Sequence, residues 1–178
     1  MTGLHLLWAP ILIASVIVFV TRSIVHMVLP LHHGDHRHVP NEDAFLMAMR
    51  AMNPPPGEYL APHPMNMKKG EKPAPQPVYL MRVIPFRGLG PLLGKWFVYI
   101  VVVGVLVAYV TGRAVGPGAP YLAVFRFAGT AAFLCYAVAM GQDSIWYGRP
   151  WTTTLRYMVD GLVYGLLTAG TFGWLWPR

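Results

Sequence analysis

The sequence predicts an all-α membrane protein, a four-helix transmembrane bundle with one long extramembrane loop, and three observations predict it. Of 178 residues, 55% are hydrophobic and only 12% charged, where a soluble domain has about a quarter charged. The apolar residues gather in four windows of about 20 residues, the helical length that crosses roughly 30 Å of hydrocarbon. These windows lack a sustained two-residue alternation, and in lipid only helices and closed barrels satisfy their own backbone N–H and C=O groups. The net charge of +7 is scattered without a dense basic face, which argues against a nucleic-acid binder. The single cysteine, Cys135, lies in an apolar run, so no intrachain disulfide, paired-thiol motif or thiolate zinc site can be drawn.

Span one is expected over about 4–29. Its first seven residues carry no Lys or Arg and the apolar run continues to Val20, unlike the basic start and short core of a signal peptide, so it reads as a retained span. The loop, 30–91, begins with Pro30 and a histidine-rich stretch. Pro40-Asn41-Glu42-Asp43 then reads as a helix start, with Asn41 as N-cap and two acids where the helix dipole favours them. A short helix over about 42–52 follows, with Phe45, Leu46, Met49 and Met52 at helical spacing, and Pro54, Pro55 and Pro56 stop it. From there to Pro77 the chain is rich in Pro, Lys, Gly and Met, so an extended, weakly structured stretch is expected. Val78 to Pro85 is apolar but too short to cross and is expected along the membrane interface or against a partner.

Spans two, three and four are expected over about 92–111, 121–140 and 155–176. Pro91, Pro120 and Pro150 stand at the junctions, Gly112, Gly116 and Gly118 surround the exit from span two, and a turn joins Gln142 to Thr154. Trp8, Trp96, Trp146, Trp151, Trp174 and Trp176 fall near span ends, the headgroup level that amphipathic rings favour. Four crossings put both termini and the Gly112–Pro120 turn on one side. The other side holds Arg37, Arg50, Lys68, Lys69, Lys72, Arg82, Arg87 and Arg149, against Arg113 and Arg178 on the first. By the positive-inside rule the long loop is cytoplasmic and the termini periplasmic.

Three groups of residues could carry chemistry. The first is Leu31-His32-His33-Gly34-Asp35-His36-Arg37-His38. Imidazole and carboxylate suit zinc, nickel or copper, which makes His32, His33, Asp35, His36 and His38 the metal candidates. Gly34 and the flanking Pro30 and Pro40 oppose a preformed rigid element, however, and structural zinc draws ligands from separated elements. The expectation is therefore a solvated collar with no metal and no cofactor. The second group is the ionisable set Arg22, His26, Arg156 and Asp160, costly to hold in lipid. At 1.5 Å per residue, Arg22 and Asp160 lie at the same end of the bundle and Arg126 near the other. An Arg22–Asp160 pair is expected, clamping spans one and four, with a proton or ion site as the alternative. The third group is small residues at four-residue spacing, Gly104, Ala108 and Gly112 in span two and Gly161, Gly165, Ala169 and Gly173 in span four. Such spacing lets helix backbones approach closely.

No nucleophile triad, phosphate-binding loop, dinucleotide fingerprint or metalloprotease helix is written in the chain, so no catalytic residue is assigned and no enzyme is expected. The reading is a non-catalytic accessory or scaffold subunit of a larger membrane assembly; the alternative is a small transporter or ion-conducting homo-oligomer. The expected partners are the lipid bilayer and other membrane subunits or further copies of the chain.

The stretches Trp96-Phe97-Val98-Tyr99, 121–129, Ser144-Ile145-Trp146-Tyr147 and 160–165, with the ending Phe172-Gly173-Trp174-Leu175-Trp176, resemble a group of small bacterial inner-membrane proteins that carry no assigned activity. The resemblance covers most of the chain. It implies a bacterial origin and a four-span fold, and brings no catalytic residue.

Overall fold

The structure, a computed structural model, describes residues 1–63, 77–85 and 87–178. Its elements in chain order are α1 (Trp8–Met27), α2 (Glu42–Met52), β1 (Gly57–Ala61), β2 (Tyr79–Val83), α3 (Leu89–Ala114), α4 (Tyr121–Tyr136), α5 (Gly141–Tyr147) and α6 (Trp151–Trp174), with short 3-10 turns at Leu4–Leu6, Pro30–His32 and Val138–Met140. The chain divides into two compact units, Met1–Asp35 with Leu89–Arg178, and His36–Gly88.

In the first unit three stretches are long and apolar enough to cross a membrane: Trp8–Met27, Leu89–Ala114 and Tyr121–Tyr147, the last running through α4, a 3-10 turn and α5. The fourth expected span corresponds to α6, which at 24 residues is long enough but falls short of the same apolar standard. Threonine, glycine and tyrosine dilute it, and it carries Arg156 and Asp160. Its polar groups turn inward instead. Thr154, Tyr164 and Thr168 are buried, and the hydroxyls of Thr168 and Thr171 donate to the carbonyls of Tyr164 and Leu167, each at 2.8 Å. The turn expected over 142–154 contains α5 instead. Ser144 and Thr154 share a buried hydroxyl hydrogen bond of 2.7 Å that ties α5 to α6.

Small residues set how closely the helices pack. A Cβ on Gly104 would meet Ile11 Cγ2 at 3.2 Å, and one on Gly161 would meet Ala137 Cβ at 2.7 Å. On Gly165 it would meet the backbone N of Phe133 at 3.3 Å, and on Gly173 the ring of Tyr121 at 2.7 Å. Gly129 and Ala169 face each other in the same contact of α4 with α6. The core between these backbones holds Val18, Ile100, Val107, Ala108, Val124 and Phe172.

One end of the bundle gathers both termini and the 112–120 turn. The Thr2 N–H donates to Gly112 O at 2.7 Å, the Gly118 N–H to Pro177 O at 2.8 Å and the Trp176 indole to Gly116 O at 2.9 Å. Gly118 is left-handed, with φ of 71°, which a residue without a Cβ adopts at no steric cost.

The second unit corrects the all-α expectation. β1 and β2 pair antiparallel, with Gly57 opposite Val83, Tyr59 opposite Met81 and Ala61 opposite Tyr79, and Arg82 forms a cross-strand ion pair with Glu58. Val78–Pro85, expected along the membrane interface or against a partner, supplies the strand β2. In α2 the Asn41 side chain accepts the N–H of Ala44 at 3.3 Å, and left-handed Asn53 closes the helix with its N–H on Met49 O at 2.9 Å. The weakly structured stretch expected before Pro77 falls largely on 64–76 and, with Lys68, Lys69 and Lys72, lies outside the described residues.

Candidate functional site

At the other end of the first unit, polar side chains from three separate elements converge. α1 ends at Met27 because Pro30 cannot continue it. The backbone instead makes the 3-10 turn Pro30–His32 and a further turn in which the Asp35 N–H donates to His32 O at 3.1 Å. This reversal carries His32 back beside His26 in the last turn of α1, and the two imidazoles stack with centroids 4.1 Å apart and planes 20° apart. Asp160, in the third turn of α6, meets both. Its Oδ2 lies 3.0 Å from His32 Nε2 and 3.3 Å from His26 Nε2. The Tyr157 ring, one turn earlier on α6, walls both imidazoles at 4.9 and 5.5 Å.

Behind His32 stands Asp35. Its Oδ2 takes the His32 Nδ1 side at 2.6 Å and its Oδ1 accepts from Arg156 at 3.0 Å, with only 2% of the side chain exposed. Burial opposes ionisation of Asp35, but the hydrogen bonds and charges of His32 and Arg156 outweigh it and hold the carboxyl below its ordinary range. His26, His32 and Asp160 are also largely enclosed, with side chains 17%, 9% and 12% exposed. Their converging atoms, His26 Nε2, His32 Nε2 and Asp160 Oδ2, are out of contact with solvent and none has a hydrogen bond of good direction.

The residues expected from the sequence distribute as follows. His26, Arg156 and Asp160 come together here, and Arg156 reaches the cluster through Asp35. Arg22 does not pair with Asp160: its guanidinium sits 4.2 Å from the centre of the Trp96 ring on α3, a cation–π contact, and among the described residues the ion pairs of Asp160 are with the two histidines. Of the histidine-rich stretch, His32 and Asp35 join the cluster, whereas His33, His36 and His38 are exposed and the last two belong to the second unit. The sequence reading placed His32 outside the bundle. The signal that finds it is Pro30 directly after the helix end, which forces the reversal.

The second unit offers a different surface. A cavity of about 400 Å³ between α2 and the hairpin is lined by Phe45, Leu46, Met49, Met81 and Val83 among others. No side chain described in this unit is buried.

No protein-family model, curated protein or solved structure matches this chain.

Chemically, the cluster joins α1, the 3-10 turn and α6 by polar contacts closed to solvent, where an unmet polar group is costly. Its two imidazoles and two carboxylates can hold a proton or a cation as well as each other.

Proposed function

We propose that this chain is a non-catalytic, multi-pass protein of a bacterial inner membrane that serves as an accessory or scaffold subunit of a larger assembly. In this reading α6 is the fourth span, the termini are periplasmic and the 30–91 loop is cytoplasmic. The observation that carries it is the second unit: a helix and a hairpin whose apolar side chains, Phe45, Leu46, Met47, Met52, Leu60 and Leu80 among them, are exposed. A segment that buries so little of its own apolar surface cannot offset the entropy of ordering its backbone, about 1–2 kcal/mol per residue, and gains stability by covering that surface against another molecule. The close-packed bundle then acts as its anchor. The resemblance to small inner-membrane proteins supports the bacterial setting, and the excess of Lys and Arg on the loop side supports the orientation.

Photo-crosslinking tests this reading. A photoreactive amino acid at Phe45 or Met49, in cells making the protein at native levels, is expected to give one discrete heterologous adduct, while one at Val102, on α3, gives lipid adducts only. Adducts of the chain with itself alone would favour the second reading, a small transporter or ion-conducting homo-oligomer. That alternative rests on Asp160, His26 and His32 at the bundle end. Proteoliposomes that move no proton or cation, with Asp160→Asn indistinguishable from wild type, would remove it.

A further inference from the structure

The cluster at the bundle end holds more electron-pair donors than protons can order. Asp35 lies 2.6 Å from His32 Nδ1, and in neutral His32 this places the ring proton on Nδ1 and leaves the Nε2 lone pair facing inward. That lone pair then faces Asp160 Oδ2 at 3.0 Å, with His26 Nε2 on the same oxygen at 3.3 Å, and the ligating atoms of all three residues lie within 4.8 Å of one another. Doubly protonating His32 so that it bridges the two aspartates would place a buried cation between them. It would also leave buried His26 Nε2 unmet.

The separations fit a different occupant, which the two imidazoles meet by turning out of their stack toward a common point. Bonds of about 2.0–2.2 Å from zinc to nitrogen and oxygen, arranged tetrahedrally, set ligand atoms about 3.3 Å apart. The ligands come from α1, the 3-10 turn and α6, three separated elements, and Asp35 supplies the carboxylate behind a ligating imidazole that commonly fixes its tautomer. Asp35 and Arg156 balance each other's charge, so Asp160 provides the one negative ligand, and Arg22, held 4.2 Å from the Trp96 ring centre, stands beside the site without pairing with it. Two imidazoles and a carboxylate, with no thiolate, select a divalent first-row ion of intermediate softness. Three protein ligands leave a fourth position for water.

We propose that His26 Nε2, His32 Nε2 and a carboxylate oxygen of Asp160 bind one divalent transition-metal ion, with Asp35 as the positioning residue for His32. The site is independent of the scaffold reading: it stitches α1 to α6 whether or not the second unit has a partner.

The test uses the full chain in detergent, with His5, His33, His36, His38 and His63 replaced by Gln to remove other imidazoles. This background is expected to retain one zinc per chain after chelator washing, by elemental analysis, and to give the visible ligand-field bands of four-coordinate Co2+ without thiolate charge transfer. His32→Gln and Asp160→Asn are each expected to lower zinc affinity more than about tenfold, and Asp35→Asn to lower it by about 10–100-fold while keeping the stoichiometry. Zinc should raise the unfolding temperature of the background and leave that of Asp160→Asn unchanged. A background that holds no zinc and shows no Co2+ bands overturns the proposal, as do ligand variants that bind zinc as tightly as the background. Where a ligand variant fails to fold, the background's stoichiometry and Co2+ spectrum decide alone.

Discussion

Asp35 uses both carboxylate oxygens, one on His32 at 2.6 Å and one on Arg156 at 3.0 Å, from a position almost closed to water. An asparagine oxygen can still accept from exposed Arg156, so the loss falls mainly on the His32 bond, and a hydrogen bond to a charged group is worth about 1.5–3 kcal/mol. Asp35→Asn is therefore expected to lower stability in detergent by about 2–3 kcal/mol, read as a fall in unfolding temperature. Arg156 is half exposed, so its pairing is screened, and Arg156→Gln is expected to cost under about 1 kcal/mol. At this scale the sequence revealed depth better than partnership. Counting residues along the spans puts Arg22, His26 and Asp160 at one end of the bundle. Which side chains meet depends on the chain reversal after α1 and on the Trp96 ring that takes Arg22, and neither has a periodicity to read.

Among the elements, α4 and α6 pack closely, and their glycines make it so. A Cβ on Gly161 would sit 2.7 Å from Ala137 Cβ and 3.1 Å from the Tyr136 carbonyl, so Gly161→Ala is expected to destabilise by about 1–3 kcal/mol through overpacking. Adding Ala137→Gly removes one of those clashes and should recover part of the loss. Gly94 in α3 has nothing within 4 Å of such a Cβ. There Gly94→Ala is expected to be neutral or to stabilise by up to about 1 kcal/mol through helix propensity alone. Fluorescence-detected size-exclusion chromatography after heating ranks all three variants. The three apolar spans were legible because their runs match the thickness of a bilayer, and α2 because Asn41 and the acids after it mark a start, whereas α5 falls where a turn was expected. The hairpin was not, because β1 and β2 are separated by 17 residues and strand pairing at that distance leaves no local pattern. The Pro-rich text around β1 pointed to an extended chain, which a strand also is.

For the whole molecule, the hydrogen bonds that join Thr2 to Gly112 and Gly118 to Pro177 put both termini at one end of the bundle, the arrangement that the proposed four crossings would need. With the loop cytoplasmic, a cysteine at Arg178 in a Cys135→Ala background is expected to react with an impermeant maleimide on intact spheroplasts, and one at exposed Met47 only after permeabilisation. The opposite pattern would invert the orientation, and labelling of both before permeabilisation would contradict the fourth span. The central claim is that the unit of 36–88, none of whose described side chains is buried, is completed by another protein. Its most direct test is native mass spectrometry of the complex released from membranes at endogenous expression. One copy of the chain bound to a heterologous subunit in fixed stoichiometry is the expected result, lost when Phe45, Met49 and Met81 are changed together to Ser. A mass equal to the chain alone or to a whole multiple of it, unchanged in the triple variant, would contradict the claim.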